Sequence, residues 1–178
     1  MIPYSRQSIS KTDIEAVVEV LESDFLTQGN AVPAFENSIC HYTGSKYAVA
    51  TNSGTSALHI ACLALGLKPD DLLWTTPITF VASANCALYC DANVDFVDIN
   101  ASTWNIDVNS LKEKLLEAEK TGQLPKVLVV VHMAGLPADM SEIQVLSQQY
   151  GFYIIEDASH ALGAHYKSKP IGSCLYSD

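Results

Sequence analysis

The sequence predicts an α/β fold, a three-layer α/β/α arrangement with a mostly parallel sheet. From residue 47 onward, short apolar runs alternate with stretches whose apolar residues recur at helical spacing. Several of the short runs are continuously apolar, as in Val127-Leu-Val-Val-Val131. A strand that is apolar on both sides has to be covered on both faces, which is typical of parallel sheets.

The first 45 residues (1–45) are predicted to form a helical segment of their own. Ser10-Lys-Thr-Asp13 has the pattern of a capping box, and apolar residues follow it at helical spacing, at positions 14, 17, 18 and 21. We expect a loop over residues 25–32 and a second short helix from about Pro33 to Tyr42. Residues 46–178 are predicted to form the α/β domain.

Strands and helices are predicted to alternate in the α/β part. The strands are Tyr47–Thr51, Leu72–Thr75, Val94–Val97, Val127–His132 and Phe152–Glu156. The helices are Thr55–Leu65, Phe80–Tyr89, one capped by Asp107 that contains Leu111, Leu115 and Leu116, and one opened by Asp139 and Glu142. Thr55–Leu65 is apolar nearly all round, which predicts a buried helix.

Composition limits the function classes. The 10 Lys and Arg against 20 Asp and Glu give a net charge of −10, which disfavours nucleic acid and anionic membranes as partners. An anionic small molecule stays open, because backbone amides at helix ends bind anions. The polar start lacks the apolar core of a signal peptide, no apolar run is long enough to span a membrane, and the five cysteines are an odd number. We therefore expect a cytoplasmic protein with free thiols.

Four segments lie where ligands of parallel sheets bind, at the carboxyl ends of strands. They are Asn52–Ser56, Thr76–Phe80, His132–Gly135 and Asp157–His160. In the first segment, Gly54 permits close backbone approach, and Thr55 and Ser56 add hydroxyls at a helix N-terminus, a combination that suits a phosphate. An ordinary helix cap is the alternative. The segment matches neither a dinucleotide-binding nor a Walker-type motif.

The other segments offer candidates for a flat, cationic ligand. Asp157 is placed to meet a cationic atom such as a pyridinium nitrogen, or it is a structural cap. His160 is either a ligand contact or a structural histidine, and Phe80 either stacks on a cofactor or belongs to the core. A metal site built from His132, Asp157 and His160 is disfavoured, because helical histidine spacing and a second carboxylate are missing. We predict no metal.

Several sequence segments, in this order and spacing, resemble the DegT/DnrJ/EryC1/StrS sugar aminotransferases, which are pyridoxal 5'-phosphate (PLP) enzymes of the aspartate-aminotransferase fold. The segments are Leu26-Thr-Gln-Gly29, Asn52-Ser-Gly-Thr-Ser-Ala-Leu58, Thr76-Pro-Ile-Thr-Phe-Val-Ala82, Val97-Asp-Ile99, Val131-His-Met-Ala-Gly135, Pro137-Ala-Asp139 and Glu156-Asp-Ala-Ser-His-Ala161. Three of these stretches, Leu26–Gly29, Thr75–Asn85 and Asp157–Gly163, are most similar to the branch of the family that acts in pseudaminic acid synthesis.

The resemblance implies a role for each candidate. Thr55 and Ser56, with Gly54, bind the PLP phosphate, Phe80 stacks on the pyridine ring, Asp157 pairs with its nitrogen, and His160 lies near its phenolic oxygen. The family's Schiff-base lysine is expected beyond Asp178. Residues 46–178 are then an incomplete PLP-binding large domain, inactive as a fragment, and the full-length protein is a homodimer.

The implied reaction is PLP-dependent transfer of an amino group from glutamate to the 4-keto carbon of a UDP-4-keto-6-deoxy-N-acetylhexosamine. It belongs to nucleotide-sugar biosynthesis, for pseudaminic acid or a related surface polysaccharide. Two alternatives stay open: a PLP-dependent sugar dehydratase of the same family, and a non-catalytic domain that binds a phosphate ligand. The segment beyond Asp178 decides between the enzymes.

Overall fold

Six helices and six strands form the part of the chain that the structure, a computed structural model, describes, which is residues 6–178. The helices are α1 (Lys11–Leu21), α2 (Ala31–Thr43), α3 (Gly54–Ala64), α4 (Ala82–Leu88), α5 (Val108–Thr121) and α6 (Met140–Tyr150). The strands are β1 (Leu72–Thr75), β2 (Asn93–Phe96), β3 (Val127–Val131), β4 (Tyr153–Asp157), β5 (His165–Tyr166) and β6 (Lys169–Pro170). Residues 1–5 of the predicted helical segment lie outside the described residues.

Strands β1 to β4 form one parallel sheet in the order β2-β1-β3-β4. Successive side chains of a strand point to opposite faces, and β3 shows the consequence. Val127 and Val129 pack with α3 and α4, whereas Leu128 and Val130 pack with α5 and α6. All four side chains are fully buried. The predicted three-layer α/β/α arrangement with a parallel sheet is confirmed.

Polar side chains begin two helices at the predicted places. The Oγ of Ser10 accepts a hydrogen bond from the Asp13 amide at 3.3 Å, and the Asp13 carboxylate accepts one from the Ser10 amide at 2.7 Å. This reciprocal pair is the predicted capping box. The Asp107 carboxylate accepts a hydrogen bond from the Ser110 amide at 2.8 Å and begins α5.

Two predictions about secondary structure are wrong. Residues 47–51 form no strand, because no neighbouring strand within residues 6–178 pairs with them; the Ala50 amide instead donates to the Glu36 carboxylate at 2.8 Å. Helix α3 is not buried on all sides. Its Leu58 and Cys62 face the sheet, while Ile60 and Leu63 on its outer side are half exposed.

The cysteines of the core are thiols packed between α3, α4 and the sheet. All five cysteines are free, and Cys62, Cys86 and Cys90 are buried, as predicted for the last two. A hydrogen bond to Cys86 and burial raise the pKa of the Cys62 thiol, so it stays protonated.

Within residues 6–178, none of the helices combines the length and the apolar character that crossing a bilayer requires.

Candidate functional site

The segments that follow β1, β3 and β4 surround a cleft of about 460 Å³ at the carboxyl edge of the sheet. The start of α3 completes its wall. Five of the six predicted site residues line the cleft: Gly54, Thr55, Phe80, Asp157 and His160. The sixth, Ser56, lies in the first turn of α3 but outside the lining. Parallel pairing thus gathers side chains that are up to about a hundred positions apart in the sequence.

Asp157 ends β4 and is buried, with 8% of its surface exposed. Its Oδ2 accepts a hydrogen bond from Ser83 Oγ at 2.8 Å, and its Oδ1 accepts one from Ser159 Oγ at 2.7 Å. In the described part of the chain, no cationic side chain pairs with this carboxylate. Buried carboxylates are costly without a cationic partner or strong hydrogen bonds. The serine hydroxyls stabilise the carboxylate but leave acceptor capacity on it, so the arrangement fits a ligand that brings a cationic N–H group.

The first turn of α3 faces the same cleft. The Ser53 hydroxyl caps the helix by accepting from the Ser56 amide at 3.1 Å, and the Ser56 hydroxyl lies 3.0 Å from it, which explains why Ser56 turns toward the cap. Thr55 and Gly54 stay in the lining. A Cβ at Gly54 would lie 3.7 Å from Ser159 Oγ, so the helix start is close to the turn that follows Asp157.

The amides of a first helical turn lack intrahelical partners and carry the positive end of the helix dipole. They suit an anion such as a phosphate in this position. The cleft thus combines a place for an anionic group with a carboxylate for a cationic one. A ligand that carries both an anionic group and a protonated ring nitrogen, as PLP does, would match these two features.

Phe80 and His160 lie at the surface of the cleft. Phe80 is 73% exposed, so it is not a core aromatic, and its ring is free to stack on a flat ligand. His160 is exposed, and its imidazole makes no hydrogen bond within residues 6–178, so it is not a structural histidine held by the fold.

His132 contributes to the wall in a way that the sequence did not indicate. Its ring is buried, with Nδ1 accepting from the Ala138 amide at 3.1 Å and Nε2 lying 2.8 Å from the Glu156 carboxylate. Because Nδ1 accepts, Nε2 carries the proton and donates it to Glu156. Burial opposes ionisation of Glu156, but hydrogen bonds from His132 and from Ser177 outweigh it and lower the pKa of this carboxyl.

Both ring nitrogens of His132 are therefore engaged away from the cleft, and the imidazole is not available as a metal ligand. Among residues 6–178, no group of three His, Cys, Asp or Glu side chains gathers in a way that could hold a metal ion.

Ser159 donates its backbone amide to Asp157, as in the structural cap that the sequence left open, but sequence reasoning missed the second serine that holds Asp157, Ser83. Ser83 is fully buried on α4, and Thr79 Oγ1 lies 3.1 Å from its hydroxyl. Hydroxyl residues four positions apart in an otherwise apolar stretch were the available signal. Their partner, Asp157, is 74 positions away from Ser83, so the contact depends on the assembled sheet.

The sequence profile of the DegT/DnrJ/EryC1/StrS aminotransferase family matches residues 7–175. The chain belongs to this family. The chain is 43% identical, over 173 residues, to a UDP-4-amino-4,6-dideoxy-N-acetyl-beta-L-altrosamine transaminase of Campylobacter jejuni, with 97% of this chain and 45% of that protein covered. The family expected from the sequence is confirmed.

Solved structures of aminotransferases share the fold. Helicobacter pylori PseC, an aminotransferase involved in the biosynthesis of pseudoaminic acid, matches with a TM-score of 0.84 at 34% identity, covering 95% of this chain and 44% of that one. Streptococcus pneumoniae Spr1654 in its PLP form matches with a TM-score of 0.85 at 27% identity, covering 99% of this chain and 47% of that one. This member of the aminotransferase family thus spans less than half of the length of each of these proteins.

Proposed function

We propose that this chain binds PLP in the cleft and serves an enzyme that transfers an amino group to a nucleotide-linked keto sugar. The observation that carries the proposal is the buried Asp157 without a cationic partner, in the same cleft as the first turn of α3. The names of the Campylobacter and Helicobacter relatives support a sugar substrate.

The proposed substrates are those of the pseudaminic acid branch of the family. The acceptor is the 4-keto carbon of a UDP-4-keto-6-deoxy-N-acetylhexosamine, and the donor is glutamate. Bound PLP supplies the electron sink that amino-group transfer requires. The reaction places the protein in the biosynthesis of pseudaminic acid or a related surface polysaccharide, in the cytoplasm.

Each predicted site residue has a role in this proposal. Thr55 and the amides that begin at Gly54 hold the phosphate, with Ser56 shaping the turn through its cap contact. Phe80 covers one face of the ring, Asp157 accepts a hydrogen bond from the ring nitrogen and keeps it protonated, and His160 lies near the phenolic oxygen.

The lysine that binds the cofactor covalently is proposed to lie beyond Asp178. No lysine among residues 6–178 lines the cleft. Lys167 lies in the turn between β5 and β6, and Lys169 begins β6. Lys167 Nζ donates to Ser141 Oγ at 2.7 Å. The contact keeps this ammonium at the surface hairpin.

A homodimer is proposed for the full-length protein, built on apolar surface. Helix α1 buries none of its residues, and its Ile14, Val17 and Leu21 are more than half exposed. These residues recur at helical spacing on one side of α1, and contiguous exposed apolar side chains of this kind are typical of interaction sites. We also propose that residues 1–45 act as a segment distinct from the domain of residues 46–178.

The full-length protein with Asp157→Ala tests the proposal. Purified wild-type protein is expected to take up PLP, seen as visible absorbance, and to lose that absorbance when glutamate is added. Asp157→Ala should abolish PLP uptake, whereas Asp139→Ala, which removes an exposed carboxylate that caps nothing, should leave it intact.

Three results would contradict parts of the proposal. Uptake of PLP without any response to glutamate, together with loss of water from the sugar, assigns the dehydratase reaction instead. Failure to bind PLP, with retained binding of inorganic phosphate, leaves a non-catalytic phosphate-binding domain. Unchanged PLP binding by Asp157→Ala refutes the contact to the ring nitrogen.

A further inference from the structure

Two serines from different parts of the chain hold the two oxygens of Asp157. Ser159, two residues further along, binds Oδ1 through its hydroxyl at 2.7 Å and through its backbone amide at 3.2 Å. Ser83 reaches Oδ2 from α4 at 2.8 Å. Ser83 is fully buried, and its hydroxyl has no contact with solvent. The carboxylate is therefore fixed from both sides before any ligand arrives.

One oxygen of the Asp157 carboxylate keeps an acceptor site for a ligand. An ionised carboxylate offers about four lone-pair sites, two on each oxygen. The hydroxyl and the amide of Ser159 use both sites of Oδ1. Ser83 uses one site of Oδ2, so the remaining site belongs to Oδ2. A donor that enters from the cleft thus meets the oxygen that Ser83 orients.

The hydroxyl protons of Thr79 and Ser83 both point toward the Asp157 carboxylate along the chain of hydrogen bonds. Ser83 has a single hydroxyl proton and gives it to Asp157, because an ionised carboxylate only accepts. The neighbouring hydroxyl of Thr79, 3.1 Å away, must then donate to Ser83. Thr79 directly precedes Phe80, so the chain of donors joins the carboxylate to the residue whose ring faces the cleft.

We propose that Ser83 is a positioning residue that aims Oδ2 of Asp157 at the ring nitrogen of the cofactor, with Thr79 fixing the direction of its hydroxyl proton. The inference rests on the proposed function and deepens it. Ser83 touches neither cofactor nor substrate in this scheme. Its effect passes through Asp157 alone, and it should therefore depend on whether the ligand carries a ring nitrogen.

A pair of ligands isolates this effect. Pyridoxamine 5'-phosphate and its 1-deaza analogue differ only in the ring nitrogen, and both bind without a covalent bond to a lysine. In the full-length wild-type protein, we expect the ring nitrogen to improve affinity by roughly 10- to 100-fold, the value of a charge-assisted hydrogen bond. Ser83→Ala should reduce this preference about tenfold and leave the affinity for the deaza analogue nearly unchanged.

Thr75→Val is the matched control. Thr75 is also fully buried at the end of β1, but its hydroxyl donates to the Val129 carbonyl at 3.1 Å and not to a carboxylate. A loss of general stability affects both ligands equally, so Thr75→Val should keep the wild-type preference. If Ser83→Ala fails to fold, Thr79→Val takes its place, with an expected reduction in preference of about threefold.

The outcomes separate this inference from the proposed function. A wild-type protein that binds both ligands equally contradicts the contact between Asp157 and the ring nitrogen itself. A wild-type preference that Ser83→Ala, or Thr79→Val in its place, leaves unchanged overturns only the role of Ser83. A preference that falls in Ser83→Ala and persists in Thr75→Val supports the positioning role.

Discussion

Replacing Gly135 by alanine should damage the site through a single backbone contact. Gly135 lies in the turn after β3 with φ +85°, and a Cβ there would stand 2.7 Å from the carbonyl oxygen of His160. Ordinary contact begins at 3.4 Å, so the two segments must separate by 3.4 − 2.7 = 0.7 Å. The atom in the way is backbone, which cannot rotate aside as a side chain would. The turn that contains His160 and follows Asp157 has to move.

The expected loss of stability in Gly135→Ala has two parts, and a control variant separates them. A left-handed backbone costs an alanine about 1–2 kcal/mol, and an overpacked contact adds about 1–3 kcal/mol. Gly122 ends α5 with φ +71° and has nothing within 4 Å of its Cβ position. Gly122→Ala therefore carries the first part alone. We expect Gly135→Ala to lower the free energy of unfolding by about 2–5 kcal/mol, and Gly122→Ala by about 1–2 kcal/mol.

Urea denaturation of the full-length variants measures the stability difference, and titration with pyridoxamine 5'-phosphate measures the effect on the site. Because the displaced turn adjoins Asp157, Gly135→Ala should also weaken binding about tenfold, whereas Gly122→Ala should not. Equal stability losses in both variants, with unchanged ligand affinity in both, would refute the reasoning.

Three further predictions concern the scaffold. The pKa of Glu156 in the folded protein is lowered from its ordinary value of 4.5, so the ionised carboxylate stabilises the fold fully above pH 4.5. This stabilisation is lost as the pH falls through the lower pKa of the folded protein. Glu156→Gln should therefore flatten the pH dependence of the free energy of unfolding measured between pH 3 and 6. Leu111 lies on the buried side of α5, and Leu111→Ala should lower the free energy of unfolding by about 2–5 kcal/mol in thermal or urea denaturation. Leu116 on the same helix is half exposed, and Leu116→Ala should lower it by less than about 0.5 kcal/mol. Asp107→Ala removes a helix cap and should cost about 1 kcal/mol in the same assay, whereas Asp139→Ala removes no cap hydrogen bond and should be nearly neutral.

The sequence predicts the sheet well, because each central strand carries its own signal. Val127–Val131 is apolar on both sides and had to be buried on both. Residues 47–51 look equally apolar, yet Tyr47 and Val49 are mostly exposed. A strand also needs a neighbouring backbone to pair with, and an apolar pattern carries no information about that neighbour.

The same limit applies to the site. Parallel pairing predicts that Phe80 and Asp157 share a cleft, since both lie at the carboxyl ends of strands of one sheet. The contact between Ser83 and Asp157 could not be predicted in this way. It depends on the height and rotation of α4 above the sheet, which many packed side chains determine together, and no single residue type signals it.

The net charge of the whole chain does not predict the distribution of charge within the cleft. The chain carries −10, but no Lys or Arg within residues 6–178 lines the cleft, so a bound phosphate would gain little from side-chain cations. Backbone amides at the start of α3 supply the positive potential, and Asp157 supplies the negative one. A ligand that carries an anionic group and a cationic ring matches both, whereas a purely anionic ligand would meet the buried carboxylate unpaired. The PLP binding proposed for this cleft would therefore depend on the order of charges within it and not on the net charge of the chain.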